Sequence, residues 1–145
     1  MEEIIGKLTA EHVKLTQLAA EILAINGVTL GVDAQHAHRV LIQFSATLHN
    51  HIALEDKSLY PRCLEHRDLN AIATRFLSSR FAIETSFQRF HDAWSTATKI
   101  KANPRAFRSQ IKEQLAGLGQ RMFEEDESFH PAIVRAFAAS PARAR

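Results

Sequence analysis

Residues 48–61 read LHNHIALEDKSLYP. Within them His51 and Glu55 stand four apart, so a helix would stack them on one face. The same face upstream carries Leu41, Phe44 and Leu48 at three–four spacing, the repeat of a helix packed in a bundle. An imidazole and a carboxylate therefore occupy places where a core wants leucine. Burying a carboxylate costs several kcal/mol unless it is paired or binds a metal. Three other seams carry the same anomaly. His12 interrupts Ile5, Leu8, Leu15, Ala19 and Ile22. Arg80 interrupts Ala73, Phe76, Ile83, Phe87, Phe90 and Trp94. Arg121 and Glu125 follow Phe107, Ile111, Leu115 and Leu118.

Two chemistries fit these residues. His12, His51 and Glu55 are two imidazoles and a carboxylate, a ligand set for non-haem iron with open positions for O2 or NO; zinc and manganese are also admissible. Glu125 offers a further oxygen. The arginines pull the other way. Ionised Glu55 and Glu125 give −2 and Arg80 and Arg121 give +2, so the set is neutral without any metal. Guanidinium binds carboxylate through a two-pronged fork. A dication 4 Å from one guanidinium would be repelled by about 8 kcal/mol at an effective dielectric of 20. The set thus holds one metal at the His12/His51 end, or none, with a buried Glu/Arg salt-bridge layer in its place.

The halves of the chain repeat. LHNHIALEDKSLYP aligns with LGQRMFEEDESFHP, residues 118–131, pairing His51 with Arg121, Glu55 with Glu125, Asp56 with Asp126 and Pro61 with Pro131. In the preceding helices His12 falls on Arg80. If each half is an antiparallel helix pair, His12, His51, Glu55, Arg80, Arg121 and Glu125 meet in one layer.

The elements that must position them follow from periodicity and caps. The first helix falls between Glu2 and Asn26, starting at the Glu2–Glu3 end or at a Thr9 cap. Residues 26–33, NGVTLGVD, break the pattern and end in Asp33, a candidate N-cap for a helix from about Ala34 to the region of Pro61. Asp68 is the next candidate cap, for a helix ending near Lys101. Asn103-Pro104 reads as cap and first residue of the fourth helix, which Pro131 interrupts. The expected fold is all-α, an up-down-up-down four-helix bundle over residues 1–138, with a frayed basic tail at 139–145.

Bulk properties agree. The chain has 145 residues, 46% of them hydrophobic, which suits one folded domain. Its net charge of +2 and scattered basic residues give no nucleic-acid footprint. No apolar run approaches the roughly 20 residues that span a bilayer. The single cysteine, Cys63, excludes an internal disulfide and fits a reducing compartment, so a soluble cytoplasmic protein is expected. No Ser-His-Asp set, phosphate loop or other catalytic signature is present, and no catalytic residue is assigned. Cys63 lies near Arg62 and Arg67, which would lower its pKa, although free cysteines are more often packed and inert. His36, His38 and His49 are expected at the surface, Tyr60 over a bundle end, His130 at a helix end, and Trp94 in the core.

The motifs HIALEDKSLYP and EEDESFHP resemble the two copies that mark the hemerythrin-like, or HHE cation-binding, family, and the resemblance covers nearly the whole chain. It implies a four-helix bundle around a non-haem di-iron centre; members carry or sense oxygen, respond to nitric oxide or help repair iron–sulfur centres. By position His12, His51 and Glu55 match ligands and Glu125 matches the second carboxylate. Arg80 and Arg121 stand where the family has histidine. The resemblance therefore implies a degenerate site with one half retained: a mononuclear or partial iron site for O2, NO or redox sensing. The alternative is a metal-free bundle acting as a protein-interaction or regulatory module.

Overall fold

The computed structural model describes residues 1–25 and 30–139; of residues 30–32 only the backbone is described. Residues 26–29 of the 26–33 break and the basic tail beyond residue 139 lie outside the described residues. Seven α-helices run along the described chain: α1 (Glu2–Ala24), α2 (Leu30–Leu54), α3 (Tyr60–Glu65), α4 (Asn70–Ala93), α5 (Ala97–Ala102), α6 (Pro104–Glu124) and α7 (His130–Ala139). Two π-helical turns, Glu55–Leu59 and Glu125–Phe129, join α2 to α3 and α6 to α7. Among the described residues there is no strand, and no helix is long and apolar enough to cross a membrane.

The four long helices α1, α2, α4 and α6 form the bundle, and cross-helix bonds fix its directions. Glu21 meets His36 and Glu11 meets His51, so α1 and α2 are antiparallel. Ser45 meets His91 and Asp56 meets Arg80, so α2 and α4 are antiparallel. Ser79 meets Arg121 and Ser86 meets Gln114, which makes α6 antiparallel to α4. Arg108 donates to the carbonyls of Leu23 and Ile25 at the end of α1, while His12 meets Asp126 just after α6. The order is up-down-up-down.

Several boundaries differ from expectation, each for a local reason. Glu2 and Glu3 lie in the first turn of α1, where their charge suits the helix dipole; Thr9 is mid-helix. Helix α2 is already formed at Leu30, which places Asp33 in its first turn rather than at its cap. Leu69, not Asp68, precedes α4. The third long helix stops at Ala93 instead of near Lys101. Thr96 takes an extended conformation and its hydroxyl accepts from the Lys99 N–H at 3.2 Å, starting a separate helix that buries Ile100. Asn103 and Pro104 do open α6, with the Asn103 side chain accepting from the Ala106 N–H.

The prolines do not end their helices. A continued α-helix would press each proline ring against the carbonyl four residues back. The backbone instead widens just ahead of each proline: Tyr60 N–H reaches Glu55 C=O and His130 N–H reaches Glu125 C=O, bonds five residues long. Helix then resumes to Glu65 and to Ala139.

The core is in two parts. One holds Leu15, Ile22, Leu41, Phe44, Phe87, Phe90, Trp94, Phe107 and Ile111. The other, at the proline end, holds Leu8, Leu59, Tyr60, Cys63, Leu69, Phe129 and Ile133. The polar seam residues lie between them.

Three glycines sit inside α1 and α6 without a packing reason. A Cβ at Gly6, Gly117 or Gly119 would meet nothing within 4 Å. Alanine at each should therefore stabilise the fold by about 0.5–1 kcal/mol through lower unfolded-state entropy. The check is the urea midpoint of Gly6→Ala and Gly117→Ala, which should rise in both.

Candidate metal centre

All six polar seam residues are buried, with 1–8% of their surface exposed, and they form one connected layer across the bundle. His12 comes from α1 and His51 from α2; Arg80 comes from α4 and Arg121 from α6; Glu55 and Glu125 open the two π-helical turns.

The layer has an approximate two-fold relation in which each half grips the other. His12 is held by Glu125 and Asp126: Nε2 lies 3.0 Å from Glu125 Oε1 and Nδ1 lies 2.9 Å from Asp126 Oδ1. Arg80 is held by Glu55 and Asp56: Nη1 lies 3.2 Å from Glu55 Oε1 and Nη2 lies 2.6 Å from Asp56 Oδ1. Consecutive carboxylates thus serve one partner, which an ordinary helix does not favour because neighbours in sequence face apart. The widened turns bring them together.

The second pair repeats the relation. His51 Nδ1 lies 2.9 Å from Glu11, the residue before His12. Arg121 Nη1 donates to Ser79, the residue before Arg80, at 2.9 Å. The residue before each proline completes the set. Tyr60 stacks beneath the Arg80 guanidinium at 5.1 Å, and His130 stacks on His12 at 5.6 Å. The Tyr60 hydroxyl also accepts from Arg121 at 3.2 Å. Arg80 Nε is 3.1 Å from Glu84, so Glu84 belongs to the guanidinium half.

The histidine half has the makings of a cation site. Carboxylates only accept, so His51 Nδ1, facing Glu11, carries the proton of a neutral ring; His12 faces a carboxylate from each nitrogen, and a cation at its Nε2 leaves the proton on Nδ1 toward Asp126. Both Nε2 atoms then present lone pairs, 3.2 Å apart, with Glu125 Oε1 beside them. Donor atoms of His12, His51 and Glu125 lie within 4.8 Å of one another. Acceptors converging in this way require a cation or a proton among them. Metal–ligand bonds of about 2.1 Å place adjacent donors roughly 3.0–3.4 Å apart, so the spacing suits a bound ion. Glu55 Oε2 is 3.6 Å from His51 Nε2 and has no hydrogen-bond partner among the described residues, an orphaned buried oxygen on the same side. The carboxylate converging with both imidazoles is thus Glu125, from the other half of the chain; Glu55 is shared with Arg80.

Charge is distributed unevenly. Burial would raise Glu125, but His12 and Arg121 outweigh it and hold its pKa below the usual value. Burial and the neighbouring Glu125 hold Glu55 well above the usual range despite Arg80. Burial would lower His12, yet Glu125 and Asp126 raise it. Burial, with His12 nearby, lowers His51. Without a metal, a proton on His12 answers Glu125 much as Arg80 answers Glu55.

Several outlying residues fall where the sequence put them and some do not. His36 and His49 are exposed and Trp94 is in the core. Cys63 is fully buried and burial pushes its thiol up to about 11, overriding Arg62, so it is a packed thiol without thiolate chemistry. His130 does stand at a helix end, as the first residue of α7, but it is buried against His12, with Nδ1 3.4 Å from Asp126 Oδ1 and no hydrogen bond at either ring nitrogen among the described residues. Glu11, Ser79 and the roles of Tyr60 and Asp126 were missed. Their signal was positional, because each adjoins a seam residue or a repeat proline.

Beside the layer, on the Trp94 side, lies a cavity of about 30 Å³ lined by Phe44, Leu48, Ile83 and Leu118 together with His51 and Arg121. It has room for about two water-sized atoms.

Residues 3–133 match the family model described as Hemerythrin HHE cation binding domain. No curated protein and no solved structure matches the chain.

Proposed function

Because this chain belongs to the Hemerythrin HHE cation-binding domain family, we propose that it holds a single non-haem iron and uses it to bind O2 or NO, or to sense redox state. His12, His51 and Glu125 would hold the ion, with Glu55 as a fourth donor. Two imidazoles and a carboxylate with open positions are the donor set of non-haem Fe(II) sites. The observation that carries the proposal is the convergence of two Nε2 lone pairs and one carboxylate oxygen while both Nδ1 atoms are committed to carboxylates. Bound iron would supply reversible affinity for a diatomic molecule and one-electron redox change. The residues of this chain supply the rest: an apolar cavity of about 30 Å³ at His51, and burial that keeps bulk water out. Arg80 and Arg121 fill the place of a second ion, and their charge repels one.

A second reading is favoured by the ion pairs of Arg80 with Glu55, Asp56 and Glu84. The layer would then be a metal-free salt-bridge core with His12 as its third cation, in a bundle that acts through a protein partner.

Elemental analysis after expression in iron-supplemented medium decides between them. The proposal expects one iron per chain, lost in His51→Ala. Protein that carries no metal, and whose thermal stability is unchanged by chelator, would establish the second reading instead.

A further inference from the structure

An imidazole can present either ring nitrogen to a given point, so two histidines share a cation only if something fixes both rings. In this chain each Nδ1 is 2.9 Å from a carboxylate on a different helix: His12 from Asp126 Oδ1, and His51 from Glu11 Oε1. These carboxylates are unlike the buried pair in the layer. The Asp126 side chain is 36% exposed and that of Glu11 is 27% exposed, so each keeps contact with water while its ring partner is buried.

The two-fold relation supplies an internal comparison. Glu11 corresponds to Ser79, which does the same for Arg121 through a hydroxyl. A guanidinium is always charged and has no tautomer to fix, so a hydroxyl suffices there. An imidazole must be told which nitrogen carries the proton, and on that side the chain places a carboxylate.

We propose that Asp126 and Glu11 are positioning residues that fix the Nδ1–H tautomers of His12 and His51 and so aim both Nε2 lone pairs at one cation. Neither touches the ion. The proposal rests on the single-cation reading above and extends it to two residues that donate nothing to the ion. Outer carboxylates of this kind commonly change metal affinity by about 10–100-fold.

The test uses the whole chain, metal-free and 15N-labelled, at a pH where both rings are neutral. Long-range 1H–15N correlation should find His12 and His51 protonated at Nδ1. Asp126→Ala should release His12 from that tautomer and leave His51 in it; Glu11→Ala should do the reverse. Asp126→Asn and Glu11→Gln keep an acceptor and should retain much of the wild-type pattern. Titration with Co(II) should show affinity about 10–100-fold lower in the alanine variants and less reduced in the amides. Unchanged tautomers in both alanine variants would overturn the proposal, and so would unchanged Co(II) affinity in variants that keep the wild-type melting temperature. A wild-type chain that binds no Co(II) but shows the tautomer shifts would retain the orienting role and remove the cation reading.

Discussion

Arg80→Leu should destabilise the protein by about 3–5 kcal/mol at neutral pH, the range found when one partner of a buried ion pair is removed. That is a large part of the roughly 5–15 kcal/mol that holds a domain together. Arg80 is 8% exposed and compensates Glu55, which is 1% exposed. Leucine keeps the volume and leaves Glu55 beside Glu125 with its main cation gone. Burial and Glu125 already hold the Glu55 pKa well above its usual value, and the substitution pushes it further up. The sign of the pH effect follows. A carboxyl whose folded pKa exceeds its unfolded pKa costs nothing below the unfolded value. The cost grows as pH rises between the two values and is complete above the folded one. Wild type already carries part of that cost, so the variant should match it in acid and fall away once pH passes the wild-type folded value, as measured by urea unfolding through that range. Arg80→Leu combined with Glu55→Leu removes both charges and should recover most of the loss. A single variant whose deficit is the same at every pH would mean that Arg80 acts through packing on Tyr60 instead.

On the single-ion reading, changing both arginines to histidine should raise the metal content toward two ions per chain. The guanidinium half keeps the supports that the histidine half uses: Asp56 where the other half has Asp126, Ser79 where it has Glu11, and Tyr60 where it has His130. What it lacks is neutral donors. Each guanidinium would repel a dication by about 8 kcal/mol at 4 Å and an effective dielectric of 20, which cancels the attraction of one carboxylate at the same distance. Arg80→His with Arg121→His removes that repulsion and restores two imidazoles beside Glu55 and Glu125. Inductively coupled plasma analysis reads the outcome. A double variant that folds and still carries one ion would mean that the hydroxyl of Ser79 cannot orient the new ring, and Ser79→Glu added to it should then restore the second ion.

Much of this arrangement is legible in the chain. Three–four spacing fixes which face of each helix is buried, so His12, His51, Arg80 and Arg121 are identifiable as core positions. The repeated Glu-Asp and proline fix their level, because antiparallel helices bring equal registers side by side. Less legible are the helix ends. Pro61 reads as an end or a kink and Pro131 as an interruption, but a turn widened by one residue carries helix past each of them. Ser95-Thr96 reads as ordinary helix, but the Thr96 hydroxyl caps a new one.

The sequence by itself determined the bundle, the six polar residues in its interior and the matching of His12 and His51 with Arg80 and Arg121 across the repeat, since periodicity and charge are properties of the chain. Only the tertiary structure decided who pairs with whom. Glu125, rather than the nearer Glu55, converges with His12 and His51, and Asp126 and Glu11 reach the far ring nitrogens. Partner choice depends on how packed helices are rotated against one another and on how much water each carboxylate keeps. Both are set by residues far apart in sequence, which no local pattern records.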